Sequence, residues 1–198
     1  MEKRVFVVSA MIIAVLAISP APAVIIDSIN ADKIPSGVQW REMSEIGWLY
    51  TPQFSYTLTG IQSIFGGGGG PAHPLGTVTL EIYDGFPVAG AALLRSATFA
   101  VEGGVPGGGT FAPLEISAGS DYFVGFRSYP ISGIGVICNY AFDGVSLPSY
   151  YGTDNTGQYL NLTTQPYLDH PILMFEGVPE PATLLLLGLG GLMLHRRS

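Results

Sequence analysis

Charge is what this chain has least of: Asp, Glu, Lys and Arg make up only 12% of 198 residues. Eight residues are basic, and four of them, Lys3, Arg4, Arg196 and Arg197, lie at the extreme ends. Between residues 24 and 181 only Lys33, Arg41, Arg95 and Arg127 stand against fourteen acidic residues, a net charge near −10. A body of that sign excludes nucleic acid as a partner, because phosphates must be met by a basic surface. Cysteine is reduced to Cys138, which excludes an internal disulfide, and its apolar neighbourhood from Ile134 to Tyr140 makes it a small core residue. The three histidines, His73, His170 and His195, form no H-x-x-x-H pattern, and with no cysteine pair a transition-metal site is not expected. His73 and His170 read as solvated loop residues. No G-x-S-x-G elbow occurs, and the glycines from Gly66 to Gly70 lack the Lys-Ser/Thr of a phosphate-binding loop. They read as a flexible hairpin loop, with Gly103-Gly104 and Gly107 to Gly109 as a second one. Amphipathic helix is missing too: no stretch from 24 to 177 keeps an i, i+3, i+4, i+7 apolar stripe for three turns.

What is present is apolar bulk with turn residues. Apolar residues reach 47%, beside 27 glycines and 15 prolines, which is too apolar for a solvated disordered chain. The first 23 residues run as a basic start, an apolar stretch from Val5 to Ile18 and a Ser-Pro-Ala-Pro-Ala close. This is the layout of a secretory signal peptide, with Ala21 and Ala23 at −3 and −1 of the signal peptidase site. The apolar stretch is fourteen residues, about 21 Å as a helix, too short for a hydrocarbon core of roughly 30 Å. A cleaved signal is therefore expected rather than a permanent span.

The other end carries Pro179-Glu180-Pro181, an apolar Leu/Gly segment from Ala182 to Leu194, and the basic cluster Arg196-Arg197. The segment can be helical, is marginal in length for a span, and is followed by positive charge as a stop on the cytoplasmic side would be. Residues 178 to 198 thus resemble the PEP-CTERM sorting signal of Gram-negative, often biofilm-forming bacteria. The resemblance implies recognition of Pro179, Glu180 and Pro181 by the membrane enzyme exosortase, transient membrane anchoring, and loss of the tail during processing. The same tail is also labelled an ice-binding-protein C-terminal motif, a description of the tail and not of the domain before it. Ice-binding surfaces use long regular arrays of threonine, whereas Thr77, Thr79 and Thr98 are scattered and Thr163-Thr164 is a lone pair.

Residues 24 to 177 make one domain large enough to bury a core. Thr77 to Tyr83 alternates strictly, with Val78, Leu80 and Ile82 opposed to Thr79, Glu81 and Tyr83, and ends in an Asp84-Gly85 turn. Leu94 to Val101 alternates likewise. Tyr122 to Arg127 and Val136 to Phe142 are apolar on both faces, as central strands are. Further strands are expected at Val24 to Ile29, Trp48 to Tyr50, Phe54 to Ile64, Thr110 to Ile116, Gln158 to Leu162 and Ile172 to Glu176. The fold class expected is all-β, an antiparallel β-sandwich of jelly-roll type, flanked by a signal helix and a short C-terminal apolar helix. The Thr/Phe-rich strand, T-V-T-L-E-I-Y-D-G and A-G-S-D-Y-F-V-G-F together resemble β-sandwich domains that bacteria mount on varied surface anchors.

Chemistry is sparse. Glu81 and Glu115 are the only acids well inside expected strands, and an envelope hydrolase using Glu81 needs a second carboxylate opposite it. Asp143-Gly144 and Asp154 to Gly157 offer oxygen ligands for a structural Ca²⁺, with turn chemistry as the default and no cofactor expected otherwise. Tyr150, Tyr151, Asp154 and Tyr159 place aromatic rings beside polar groups, as sugar-binding surfaces do. The expectation is an exported, exosortase-sorted surface or matrix protein with a structural or adhesive role and no catalysis. The alternative is a carbohydrate-binding module of the envelope using those four residues, with exopolysaccharide as partner.

Overall fold

The structure is a computed structural model that describes residues 24–33, 45–66, 74–128, 134–138, 144–153, 158–161 and 169–179. The signal segment 1–23 with Ala21 and Ala23, and the apolar tail with Glu180, Pro181, Arg196 and Arg197, lie outside the described residues, as do both expected terminal helices. Among the described residues no helix is long and apolar enough to cross a membrane.

Among the described residues eleven strands run in chain order: β1 (Val24–Ile29), β2 (Glu45–Tyr50), β3 (Tyr56–Gly66), β4 (Pro74–Tyr83), β5 (Leu93–Glu102), β6 (Pro106–Ile116), β7 (Tyr122–Ser128), β8 (Gly135–Val136), β9 (Ser149–Thr153), β10 (Gln158–Asn161) and β11 (Leu173–Pro179). One sheet has the order β1-β11-β3-β6, with β8 on the end of β3; the other is β10-β9-β2-β7-β4-β5. All the paired strands of these sheets are antiparallel. The pairing is nested: β4 with β5, β3 with β6, β2 with β7, and β1 with β11. A long double-stranded hairpin folded back on itself gives this pattern, which is the rolled order of a jelly roll, with β9 and β10 added at the edge of the second sheet.

The alternation read in the sequence sets the faces. Val78, Leu80 and Ile82 of β4, Ile46, Trp48 and Tyr50 of β2, and Val124 and Phe126 of β7 all join one buried cluster. Across from them stand Leu58, Ile61 and Phe65 of β3, and Leu173 and Phe175 of β11. Tyr50 stacks on Phe175 at 4.2 Å between ring centroids, and Phe65 meets Phe126 edge-on at 5.4 Å, so aromatic contacts tie the two sheets together. Each fully buried ring of this kind contributes about 1.5–3 kcal/mol by leaving water.

Several expectations are corrected. Gly107 to Gly109 are not a loop but lie inside β6, where they let the strand press against its neighbours. A Cβ on Gly108 would sit 2.4 Å from the Ile61 carbonyl oxygen, and one on Gly109 would sit 2.7 Å from Ala97 Cβ. Val136 belongs to a two-residue pairing at the end of β3, not to a central strand; Tyr140 to Phe142 lie outside the described residues. Tyr150 and Tyr151 lie in β9, which the sequence reading left out of the strands. Cys138 is fully buried, as expected. His170 is not solvated: it is 7% exposed, with Nδ1 2.6 Å from Asp169 Oδ1, because the chain returns here to enter β11. His73 lies outside the described residues.

Candidate functional site

The outer face of the six-stranded sheet is unlike ordinary solvated sheet surface. Strand alternation turns Glu45 and Gly47 of β2, Phe123, Gly125 and Arg127 of β7, and Glu81 and Tyr83 of β4 away from the core. Register then lines them up: Gly47 pairs with Tyr150 on one side and Gly125 on the other, and Gly125 pairs with Glu81. One row along, Glu45 pairs with Gly152, and Gly152 with Tyr159. Two glycines side by side in the middle of a sheet leave a hollow, and larger side chains fill it. A Cβ on Gly47 would meet Phe123 Cζ at 2.3 Å, and one on Gly125 would meet Glu45 Oε1 at 2.5 Å.

The Phe123 ring is fully buried although it does not belong to the central core cluster. Its cover is aromatic: Tyr159 at 5.8 Å, Phe86 at 5.8 Å, Tyr83 at 6.2 Å and Tyr150 at 6.4 Å between centroids. Phe86 also lies 4.0 Å from Tyr150 and 5.5 Å from Tyr159. It is carried by the loop after β4, where Pro87–Ala89 makes one 3₁₀ turn closed by Gly90 at φ 84°. Phe86, Tyr83, Tyr150 and Tyr159 are each half-buried, so part of every ring faces solvent.

Beside the rings runs a continuous polar chain. Tyr159 Oη donates to Glu45 Oε2 at 2.5 Å, and Arg127 Nη2 donates to Glu45 Oε2 and to Glu81 Oε2, each at 3.1 Å. Tyr83 Oη donates to Glu81 Oε2 at 3.0 Å. Glu45 is 3% exposed, and its Oε1 is buried with no hydrogen-bond partner among the described residues. Burial pushes the Glu45 carboxyl above its ordinary range; the Tyr159 hydrogen bond and the Arg127 charge pull it down, the Glu81 charge pushes it further up, and the upward effects prevail. Burial also raises the Tyr83 and Tyr159 hydroxyls, helped by Glu81 and Glu45 respectively, so both remain neutral donors. For Arg127 burial works against the charge, but Glu45 and Glu81 outweigh it and hold the guanidinium protonated.

Of the four residues the sequence singled out, the structure brings together Tyr150 and Tyr159. Tyr151 is turned the other way, packed against the core, because neighbouring residues of a strand face opposite sides. Asp154 lies outside the described residues. Glu81 faces outward as its alternation predicts, but Glu115 is on β6 of the other sheet, where it accepts from Thr57 Oγ1 at 2.9 Å. Sequence reasoning missed Glu45, Arg127, Phe86 and Phe123. The available signal was the alternation of Phe123, Gly125 and Arg127, obscured because both faces of β7 are apolar until its end. Asp143 and residues 154–157, the expected calcium ligands, lie outside the described residues, and among the described residues no three His, Cys, Asp or Glu side chains group as metal ligands.

The comparisons with known proteins bear on the tail. Residues 177–197 match the family model of the PEP-CTERM protein-sorting motif. No curated protein and no solved structure matches the chain.

Proposed function

We infer from the sorting motif at residues 177–197 that the protein is exported and sorted to the cell surface by exosortase. We propose that the jelly-roll-like sandwich it delivers is adhesive and non-catalytic, and that it works by binding glycan on the outer face of the six-stranded sheet. The observation that carries this reading is the group Phe86, Tyr150, Tyr159 and Tyr83, four half-exposed rings clustered next to the Glu45–Arg127–Glu81 chain. Ring faces accept the apolar side of a sugar, and fixed polar groups beside them set its orientation.

Two glutamates linked through one guanidinium also meet part of what a glycosidase needs, since the raised Glu45 carboxyl could hold a proton. Arg127 Nη2, however, bridges the two carboxylates where the scissile oxygen and a water would have to sit. That favours a fixed binding surface over turnover.

The test is retention of the exported protein on immobilised neutral and anionic polysaccharides, compared with Tyr150→Ala and Phe86→Ala. Each ring removed should weaken retention about tenfold without loss of the folded state, the scale of one aromatic contact. No reducing ends should appear on incubation with any of these polymers. A folded protein that binds none of them, or whose binding ignores both substitutions, would refute the glycan reading and leave a structural role.

A further inference from the structure

The sorting motif and the folded domain share residues. The family match begins at 177, yet β11 continues to Pro179, so Gly177, Val178 and Pro179 are both the start of the motif and the end of a strand. Gly177 pairs with Leu58, Val178 with Thr57 and Pro179 with Tyr56 of β3. Tyr56 is itself central, fully buried and paired with Ile116 of β6 on its other side. No linker separates the sandwich from the first proline that the sorting enzyme is expected to read.

The hold on this end is weak by construction. On its other side β11 is flanked by β1, and the last pair there is Val24 with Gly177, so among the described residues Val178 and Pro179 pair with β3 alone. Proline has no N–H to give the ladder, which suits it to a strand end. A register shift between Glu176 and Gly177 puts the glycine where a Cβ would be 2.3 Å from the Thr57 carbonyl oxygen. Strand ends of this kind open at a small cost while the rest of the sheet stays closed.

We propose that the end of β11 is a two-state segment, ladder in the folded sandwich and substrate when released, so that exosortase acts only on the frayed form and processing follows the fraying equilibrium. The inference rests on the sorting motif and is independent of glycan binding. While the segment is paired with β3 one of its two edges is taken and the sandwich itself covers that side, so a cleft that encloses the chain admits only the released form. Val24, the first residue after the expected signal cleavage, sits beside Gly177, so both processed ends leave the domain at one pole.

The experiment uses the full chain carrying Thr57→Cys and Val178→Cys, incubated with membranes that contain the sorting enzyme. The two positions are antiparallel partners, so their Cα separation suits a disulfide. Loss of the tail is read by intact mass with the cross-link oxidised and after reduction. The oxidised form should be processed at least tenfold more slowly than the same protein reduced; equal rates would overturn the proposal. A second variant needs no cysteine: four Gly/Ser residues inserted between Val178 and Pro179 carry the Pro179-Glu180-Pro181 triplet clear of β3. It should be processed faster than the native chain, and an unchanged or lower rate would count against fraying even if the cysteine pair impaired recognition by itself.

Discussion

Glu45 is almost entirely out of water, and the folded chain therefore keeps its proton to higher pH than the unfolded chain does. The sign for stability follows. Below the ordinary carboxylate value of 4.5 both states are protonated and the residue costs nothing. As pH rises from there through the raised value of the folded state, the unfolded chain releases the proton first and stability falls; above that window the whole cost is present. Glu45→Gln keeps an oxygen for Tyr159 and Arg127 and cannot ionise. The thermal midpoint of the native protein minus that of the variant should decline with pH over this window, and a flat difference would contradict a raised carboxyl. Glu45→Ala removes the acceptor of a half-buried tyrosine hydroxyl and should cost about 1–3 kcal/mol in denaturant unfolding at neutral pH.

Among the elements, the glycines on β2, β6 and β7 decide what the sheets can carry. Gly47→Ala would drive a methyl into Phe123 Cζ and to 2.6 Å from the Val124 carbonyl oxygen. The backbone oxygen cannot move aside, so overpacking of about 1–3 kcal/mol is expected, read as a lower urea midpoint at unchanged slope, together with weaker glycan retention as Phe123 tilts the rings above it. Legibility in the sequence followed the same residues. β4 was readable because its side chains from Val78 to Tyr83 alternate between a buried and an open face, and Asp84-Gly85 marks the turn. The start of β6 was not, since three successive glycines carry no alternation and resemble a loop; what makes them strand is the press of Ile61, Gln62 and Phe99 around them. β9 was hidden for another reason. Tyr150 and Tyr151 look equivalent in sequence, and only pairing with β2 and β10 sends one outward and the other into the core. The site as a whole was half legible: its tyrosines were visible as aromatics near polar residues, whereas Glu45 and Arg127 become partners only through the register of β2 on β7.

At the scale of the whole molecule, the nested pairing makes β1 and β11 the closing strands of the roll. Their paired ends, Val24 and Gly177, lie one strand spacing apart, about 4.8 Å, so a short loop can replace the two processed ends. New ends can be opened between Gly119 and Ser120, in the exposed turn after β6, where Gly119 adopts φ 74°; Gly119 N–H donates to the Pro52 carbonyl at 2.9 Å and Ala118 N–H to Ser55 Oγ at 3.0 Å, and the cut crosses the Ser120 N–H to Ser117 carbonyl bond at 3.2 Å. A permuted chain that begins at Ser120, runs through Val178, a four-residue Gly/Ser loop and Val24, and ends at Gly119 keeps every strand-to-strand pairing of both sheets and loses only the terminal Pro179–Tyr56 pair. Exposed turns tolerate such cuts, and a longer joining loop adds only about 0.6 kcal/mol for each doubling of its length. This variant should unfold in one cooperative transition with a midpoint close to that of the native domain. On the proposed glycan reading its retention should equal that of the native domain, because Glu45, Glu81, Arg127, Tyr83, Tyr150 and Tyr159 stand on strands, and Phe86 on a loop, that the permutation leaves whole. Loss of the cooperative transition would mean that β1 does not close the roll against β11. Folding without glycan retention would instead separate the architecture from the site, and place the binding determinants outside the outer face of the six-stranded sheet.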